Sequence, residues 1–312
     1  VRLLVRLLCL ACVLLSLPAQ AGAGMRFIYP PPEHPQDQRL HYYWTLLDAA
    51  LQASSASYGP YTLQSYATPL SSQRALAEVA SGDAGRINIL TRASNPELES
   101  QLRAIPIPLD RGLLGYRLFL IRPELQAKLD QVKTLEQLQA FSIGQGKTWV
   151  DAKILSQAGF KVVLGDQYND LFPMLRAGRF DLFSRGVNEI QAEWLAQGHI
   201  LPGLQIEQRL MLHYPMPRYF FVPRTAEGER MARRIESGLR SLARSGAFQR
   251  HYLAYKRQVL AGLDLRGRRV FRIDNPLLKQ GGPRHEAFWW DDLSSELAPV
   301  RRSKPKHPRS SP

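Results

Sequence analysis

Beyond residue 12 the chain has no cysteine; its only two, Cys9 and Cys12, lie in the first segment. A protein that loses that segment has no disulfide and no thiol nucleophile, and must fold on its core alone. The seven histidines, His34, His41, His199, His213, His251, His285 and His307, form no H-x-x-x-H or H-E-x-x-H pair, and no G-x-S-x-G occurs. These absences remove helical zinc sites and the nucleophile-elbow hydrolases. After Leu17 no apolar run is long enough to span a bilayer. The final stretch from Arg301, RRSKPKHPRSSP, lacks any acid. Its Pro, Ser and basic content reads as disorder, and the tail is taken to run over 294–312.

What is present starts with a charged, apolar and small-residue series. Arg2 and Arg6 precede an apolar run from Leu7 to Leu17, then Pro18 and the motifs Ala19-Gln20-Ala21 and Ala21-Gly22-Ala23. That order is a secretory signal peptide, residues 1–23, and it directs the protein to the periplasm. A lipoprotein reading would use Cys12, but Cys9 stands where a lipobox wants leucine. The net charge of +14 has the look of a nucleic-acid binder. Two of those charges, however, belong to Arg2 and Arg6 and five to the tail, and nothing interleaves the rest with a nucleic-acid motif.

Past the signal, short β-rich runs alternate with helical patterns. MRFIYP, YTLQSYA and RINILT read as strands, with Leu40, Tyr43, Trp44, Leu47 and Leu51 at helical spacing between the first two. GLLGYRLFLIR (112–122) is a long apolar strand. A second series then runs through FSIGQ, KVVLG and RFDLFS, each followed by a helical stretch, and QRLMLHYPMPRYFFVP returns extended. A long helix from Thr225 follows, with Met231, Ile235, Leu239 and Leu242 on one face. Such alternation makes parallel sheets covered by helices. Two series joined by two extended connectors make an α/β fold of two lobes: lobe 1 over 24–116, lobe 2 over 117–214, and a return to lobe 1 over 215–293. Gly115, Tyr116 and Tyr214 are the expected hinge. Phe288, Trp289 and Trp290 are expected to pin the tail on lobe 1.

GQGKT, at 144–148, fails as a P-loop because Phe141 stands where the first glycine is required. The turn is either a helix N-terminus open to an anion or a tight strand-to-helix turn. No cofactor is implied. With Tyr29, ASGDAGRINILT, Asn95-Pro96-Glu97 and LRAGRFDLF, this turn resembles the type 2 periplasmic solute-binding proteins, in particular solute-binding protein family 3. GQGKTW, GRFDLFSR, LHYP and IDNPLL narrow the resemblance to a poorly characterised transporter substrate-binding subgroup. It covers residues 25–260 and implies capture of a small solute in an interlobe cleft, by a monomer, for an inner-membrane ABC permease or a sensor. Amino-acid receptors of the family hold the ligand carboxylate with an arginine where this chain has Leu98. They hold the amino group with an aspartate where it has Gly186, beside Arg185.

In a two-lobed binder the ligand meets the carboxyl ends of strands and helix N-termini. That rule selects Tyr29, Thr91, Arg92, Lys147, Thr148, Trp149, Ser184 and Arg185. Arg92 and Arg185 together would clamp a carboxylate or phosphate, or else are solvated surface arginines. Trp149 either stacks on a ligand ring or packs beneath its helix. A small anionic or polar solute fits this set. A sensor or accessory module without a transport role is the alternative. A cell-wall-acting enzyme is the weaker one, since the region after residue 260 is too short for an added catalytic domain. Intact-mass measurement of the exported protein should give a chain beginning after Ala21 or Ala23; an uncleaved start or a lipid-modified Cys12 would overturn the signal reading.

Overall fold

The structure, a computed structural model, describes residues 24–32, 38–83, 86–198, 203–278 and 287–299. The expected signal peptide, with both cysteines, and residues 300–312 of the tail lie outside these. Helices of five or more residues are numbered below.

Lobe 1 begins with β1 (Met25–Tyr29) and β2 (Tyr61–Ser65), paired in parallel, with α1 (His41–Ala53) between them in sequence. Met25 and Phe27 of β1 alternate inward past exposed Arg26, and α1 buries Tyr43, Trp44, Leu47 and Leu51 along one stripe. α2 (Ser72–Ser81) starts at a Ser71 cap and stops at Gly82, which adopts a left-handed φ of 71°. A second set runs antiparallel in the order β3 (Leu90–Ala93), β11 (Arg218–Val222), β4 (Arg103–Ile105), with α3 (Pro96–Gln101) between β3 and β4 in sequence. One side chain joins the two sets. Ile28 N donates to Asn88 Oδ1 and Asn88 Nδ2 donates to Arg26 O, both at 2.8 Å, while Asn88 N donates to Ile28 O. The amide group so stands in for a strand residue.

Lobe 2 is one mixed sheet in the order β12 (Arg269–Arg272), β10 (Leu210–His213), β5 (Tyr116–Ile121), β8 (Leu182–Gly186), β6 (Ile143–Gly146), β7 (Val162–Gly165), with the short β9 (Gln205–Ile206) also on β5. β6, β7 and β8 are parallel, and β5 runs antiparallel between β8 and β10. Its helices are α4 (Leu135–Gln139), α5 (Val150–Gln157), α6 (Leu171–Arg176) and α7 (Ile190–Gly198). The chain then closes lobe 1 with α8 (Ala226–Arg244) and α9 (Ala247–Val259). Met231, Ile235, Leu239 and Leu242 of α8 are buried as their spacing requires. Gly238 lets α8 approach α1 closely, since a Cβ there would strike Ala50 O.

Three boundaries differ from the sequence reading. The strand expected over 112–122 starts only at Tyr116, because Gly112, with φ 75°, opens a single 3-10 turn over Leu113–Gly115. Residues 215–293 do not all return to lobe 1. β12 (Arg269–Arg272) pairs in parallel with β10 and extends the lobe 2 sheet. The expected disordered tail is ordered over 294–299, where Ser294–Leu297 form a helical turn and Lys256 Nζ pairs with Glu296 at 2.9 Å. Trp289 meets the Phe248 ring edge-on at 5.1 Å, which places it on lobe 1.

The crossings lie side by side. Tyr214 N donates to Gly115 O at 3.2 Å, and Leu212 and His213 pair with Arg117 and Tyr116. Alanine at 115 would press its methyl into Tyr214 O. Gly115→Ala is expected to cost about 1–3 kcal/mol, as overpacking does, lowering the urea midpoint without changing the slope. An unchanged midpoint would show that the crossings are not held at this spacing.

Candidate functional site

The carboxyl ends of β3 and β8, with the start of β11, bring the polar residues of both lobes to one junction. On lobe 1, buried Thr91 has a hydroxyl without a protein partner. Its carbonyl accepts from Arg218 Nη1 at 3.2 Å, and Arg218 Nε is buried and unpaired. The Arg218 guanidinium also lies 5.0 Å from the centre of the Tyr43 ring. Tyr43 donates to Asp110 Oδ2 at 3.1 Å, and its hydroxyl stands 3.4 Å from that of Tyr255. Tyr255 in turn accepts from Asn188 Nδ2 of lobe 2 at 2.8 Å, which carries the network from one lobe to the other. A second link crosses where Arg39 sits 5.4 Å over the Tyr168 ring.

On lobe 2, Arg185 of β8 is enclosed. Its guanidinium donates to both Glu193 oxygens at 2.6 Å, pairs with Glu189 at 3.1 Å, and lies 4.6 Å from the centre of the Trp149 ring. Deeper, Arg117 of β5 pairs with Asp151 at 3.0 Å and donates to Leu114 O and Ser184 O. Gln145 donates to Ser184 O and keeps a buried, unpaired Oε1.

The residues selected from sequence divide accordingly. Thr91 lies at the junction, with Ser184 and Arg185 behind it on β8. Arg92 is tied by its Nη2 to Ser72 O at 2.6 Å, so it does not meet Arg185 in a clamp; burial, and after it the neighbouring Arg218 cation, lowers its pKa. Tyr29 stacks on Trp44 at 4.5 Å in lobe 1. Lys147 and Thr148 are exposed, with Lys147 near Asp166 at 3.6 Å. Lys147 N and Trp149 N already donate to Gly165 O and Gly146 O, and the Trp149 ring covers Gly146 so closely that a Cβ would lie 2.6 Å from it. GQGKT is thus a tight turn packing an indole.

Sequence reasoning missed Arg218, Asn188 and Glu189. Leu98 is buried inside lobe 1, capped through Asn95, and the arginine that donates to Thr91 O comes instead from β11. At Gly186 the space of a side chain is taken by two later residues: a Cβ there would lie 2.6 Å from Asn188 Oδ1 and 3.1 Å from Glu189 Oε2, which accepts from Gly186 N. The one available signal was the spacing of Arg185, Glu189 and Glu193, four residues apart each time.

Charge is distributed unevenly. Burial opposes ionisation of Glu189, but Arg185, Arg117 and Arg218 outweigh it and hold the pKa down to about 2. Burial dominates at Asp110 and pushes it up to about 6 against Arg218 and the hydrogen bonds from Tyr43 and Gly112. Arg218 therefore faces one weakened acid on lobe 1, Asp110, whereas Arg117 and Arg185 face Asp151, Glu189 and Glu193 on lobe 2. Among the described residues no group of three or more His, Cys, Asp and Glu could hold a metal.

No protein-family model and no curated protein matches the chain. Solved structures do. A Salmonella typhimurium periplasmic binding protein described for high arginine specificity is 13% identical, over 75% of this chain and 99% of its own, at a TM-score of 0.51. The fold is that of the type 2 periplasmic binding proteins. An ancestral arginine-binding protein bound to arginine is 15% identical, over 76% of this chain and 99% of its own, at a TM-score of 0.49. At these identities the likeness concerns the fold and not the ligand.

Folded Asp110 keeps its proton to about pH 6, whereas an unfolded aspartate releases it near pH 4. Folding therefore takes up a proton between these values, and this group's contribution to stability falls as pH rises through that window. Carboxyl-carbon NMR should show Asp110 titrating near pH 6, and Asp110→Asn should flatten that part of the stability profile. Titration at an ordinary aspartate value would contradict the burial account.

Proposed function

We propose that the protein is a periplasmic solute-binding protein, of the family 3 kind, that closes on a small polar solute carrying a carboxylate, without catalysing a reaction. Arg218, with Arg92 behind it, and Thr91 Oγ1 receive the carboxylate on lobe 1; Asn188 Oδ1 and Glu189 take a donor group, such as an amine, on lobe 2. The observation that carries this reading is the set of unpaired buried polar atoms, Thr91 Oγ1, Arg218 Nε and Asn188 Oδ1, shared between two lobes and connected through Tyr43 and Tyr255. Buried polar groups need partners, so such a set favours a polar guest. The polarity of the junction, cationic on lobe 1 and anionic on lobe 2, suits a zwitterion better than a dianion. Delivery to an ABC permease is the role that goes with this reading; signalling by a sensor would use the same site.

A calorimetric screen of small amino acids, hydroxy acids and dicarboxylates should find a carboxylate ligand. Arg218→Ala should weaken it by about 1.5–3 kcal/mol, the range for a hydrogen bond to a charged group. Tight binding of amines without a carboxylate, unaffected by Arg218→Ala, would overturn the assignment.

A further inference from the structure

Arg185 is surrounded as a bound cation would be. Three rings lie about its guanidinium, Trp149 at 4.6 Å, Phe183 at 5.4 Å and Tyr168 at 5.7 Å from ring centre to carbon, and two carboxylates, Glu189 and Glu193, pair with it. Only 5% of the side chain is exposed. A core needs none of this, because an aliphatic residue fills such a space without desolvating charges. The enclosure also lies at the lobe junction. Tyr168 is covered from lobe 1 by Arg39, and Glu189 adjoins Asn188, which reaches Tyr255 of lobe 1. Aromatic faces combined with paired acids are the chemistry that recognises guanidinium and alkylammonium groups.

We infer that Arg185 is a built-in occupant of a cation-binding pocket that opens on the cleft, and that by filling it the residue restricts the protein to solutes without a long cationic side chain. The inference rests on the proposed solute-binding role for its second half only; the pocket itself does not depend on it. A solute lies with its head between Arg218 and Glu189, and any extension toward Trp149 meets the Arg185 guanidinium. Small or neutral side chains are accepted, and arginine- or lysine-like ones are refused by both occupancy and charge.

The test separates pocket from role. Methylguanidine is titrated into Arg185→Ala and wild type, with melting temperature and calorimetry as readouts. The variant should bind it at least roughly tenfold more tightly than wild type, and Glu193→Gln in the same background should remove most of the gain. Arg185→Lys, which keeps a cation in place, should show no gain. L-Arginine should follow methylguanidine, and only for L-arginine should the added Arg218→Ala weaken binding, since that step needs the head-group site. A folded Arg185→Ala protein indifferent to methylguanidine, or wild type that binds L-arginine as tightly as any small amino acid, would overturn the inference. Should Arg185→Ala fold poorly, refolding yield with and without methylguanidine replaces the titration: recovery supports a cation pocket, and no recovery refutes it.

Discussion

The buried cluster of Arg117, Asp151 and Tyr214 ties both crossings to lobe 2. Arg117 lies one residue into β5, on the outward crossing, and Tyr214 stands on the return crossing; Asp151 Oδ1 pairs with the first and accepts from the second. Removing a charge from water costs several kcal/mol unless its partner is close and its remaining valences are met. Here Leu114 O and Ser184 O accept from Nη1 and Nη2 while Nε stays without a partner, and Asp151, Tyr214 and Glu189 keep the guanidinium charged against its burial. Both strands are thereby fixed to the first turn of α5 and so to lobe 2. The stretches from Gly112 to Gly115 and from Pro215 to Pro217 lie outside this cluster, on the lobe 1 side.

From that anchor the lobe junction follows. β8 lies beside β5, so its last residues emerge next to the crossing, and β11, which starts just after the return, brings Arg218 to the opposite wall. The lobes meet through polar groups at Asn188 and Tyr255 and through a cation over a ring at Arg39 and Tyr168. Contacts of this sort are specific in direction yet exchangeable with water.

The repeating parts of this architecture were legible in the sequence because they obey local rules. The α8 stripe of Met231, Ile235, Leu239 and Leu242 and the two αβ series each declare themselves within local windows of the chain. Gly115 and Tyr214 were also visible, as breaks in apolar extended runs. The site was less so. The carboxyl-end rule names positions and not partners: it finds Arg185 but not the acids that neutralise it, and it treats Lys147 and Thr148 like Thr91 although they point to solvent. Arg218 reaches Thr91 across 127 residues, and no pattern within a window reveals such a contact. β12 escaped for the same reason, since a four-residue strand gains its identity only from the edge it joins.

That edge has a consequence for how the protein is made. Residues 116–213 form nearly all of lobe 2 as one uninterrupted segment, yet β10 stays a bare edge until Arg269–Arg272 arrive. An unpaired strand edge is a template for joining another chain. During N-to-C synthesis more than fifty residues, including both α8 and α9, must emerge after β10 before its neighbour exists. The same late segment places Trp290 over Gly112 and donates Asp291 N to Arg111 O, so the outward crossing too is sealed last. Biogenesis thus ends at the crossings: the nascent chain holds two nearly formed bodies whose joint is covered only when Trp290 and Asp291 are available.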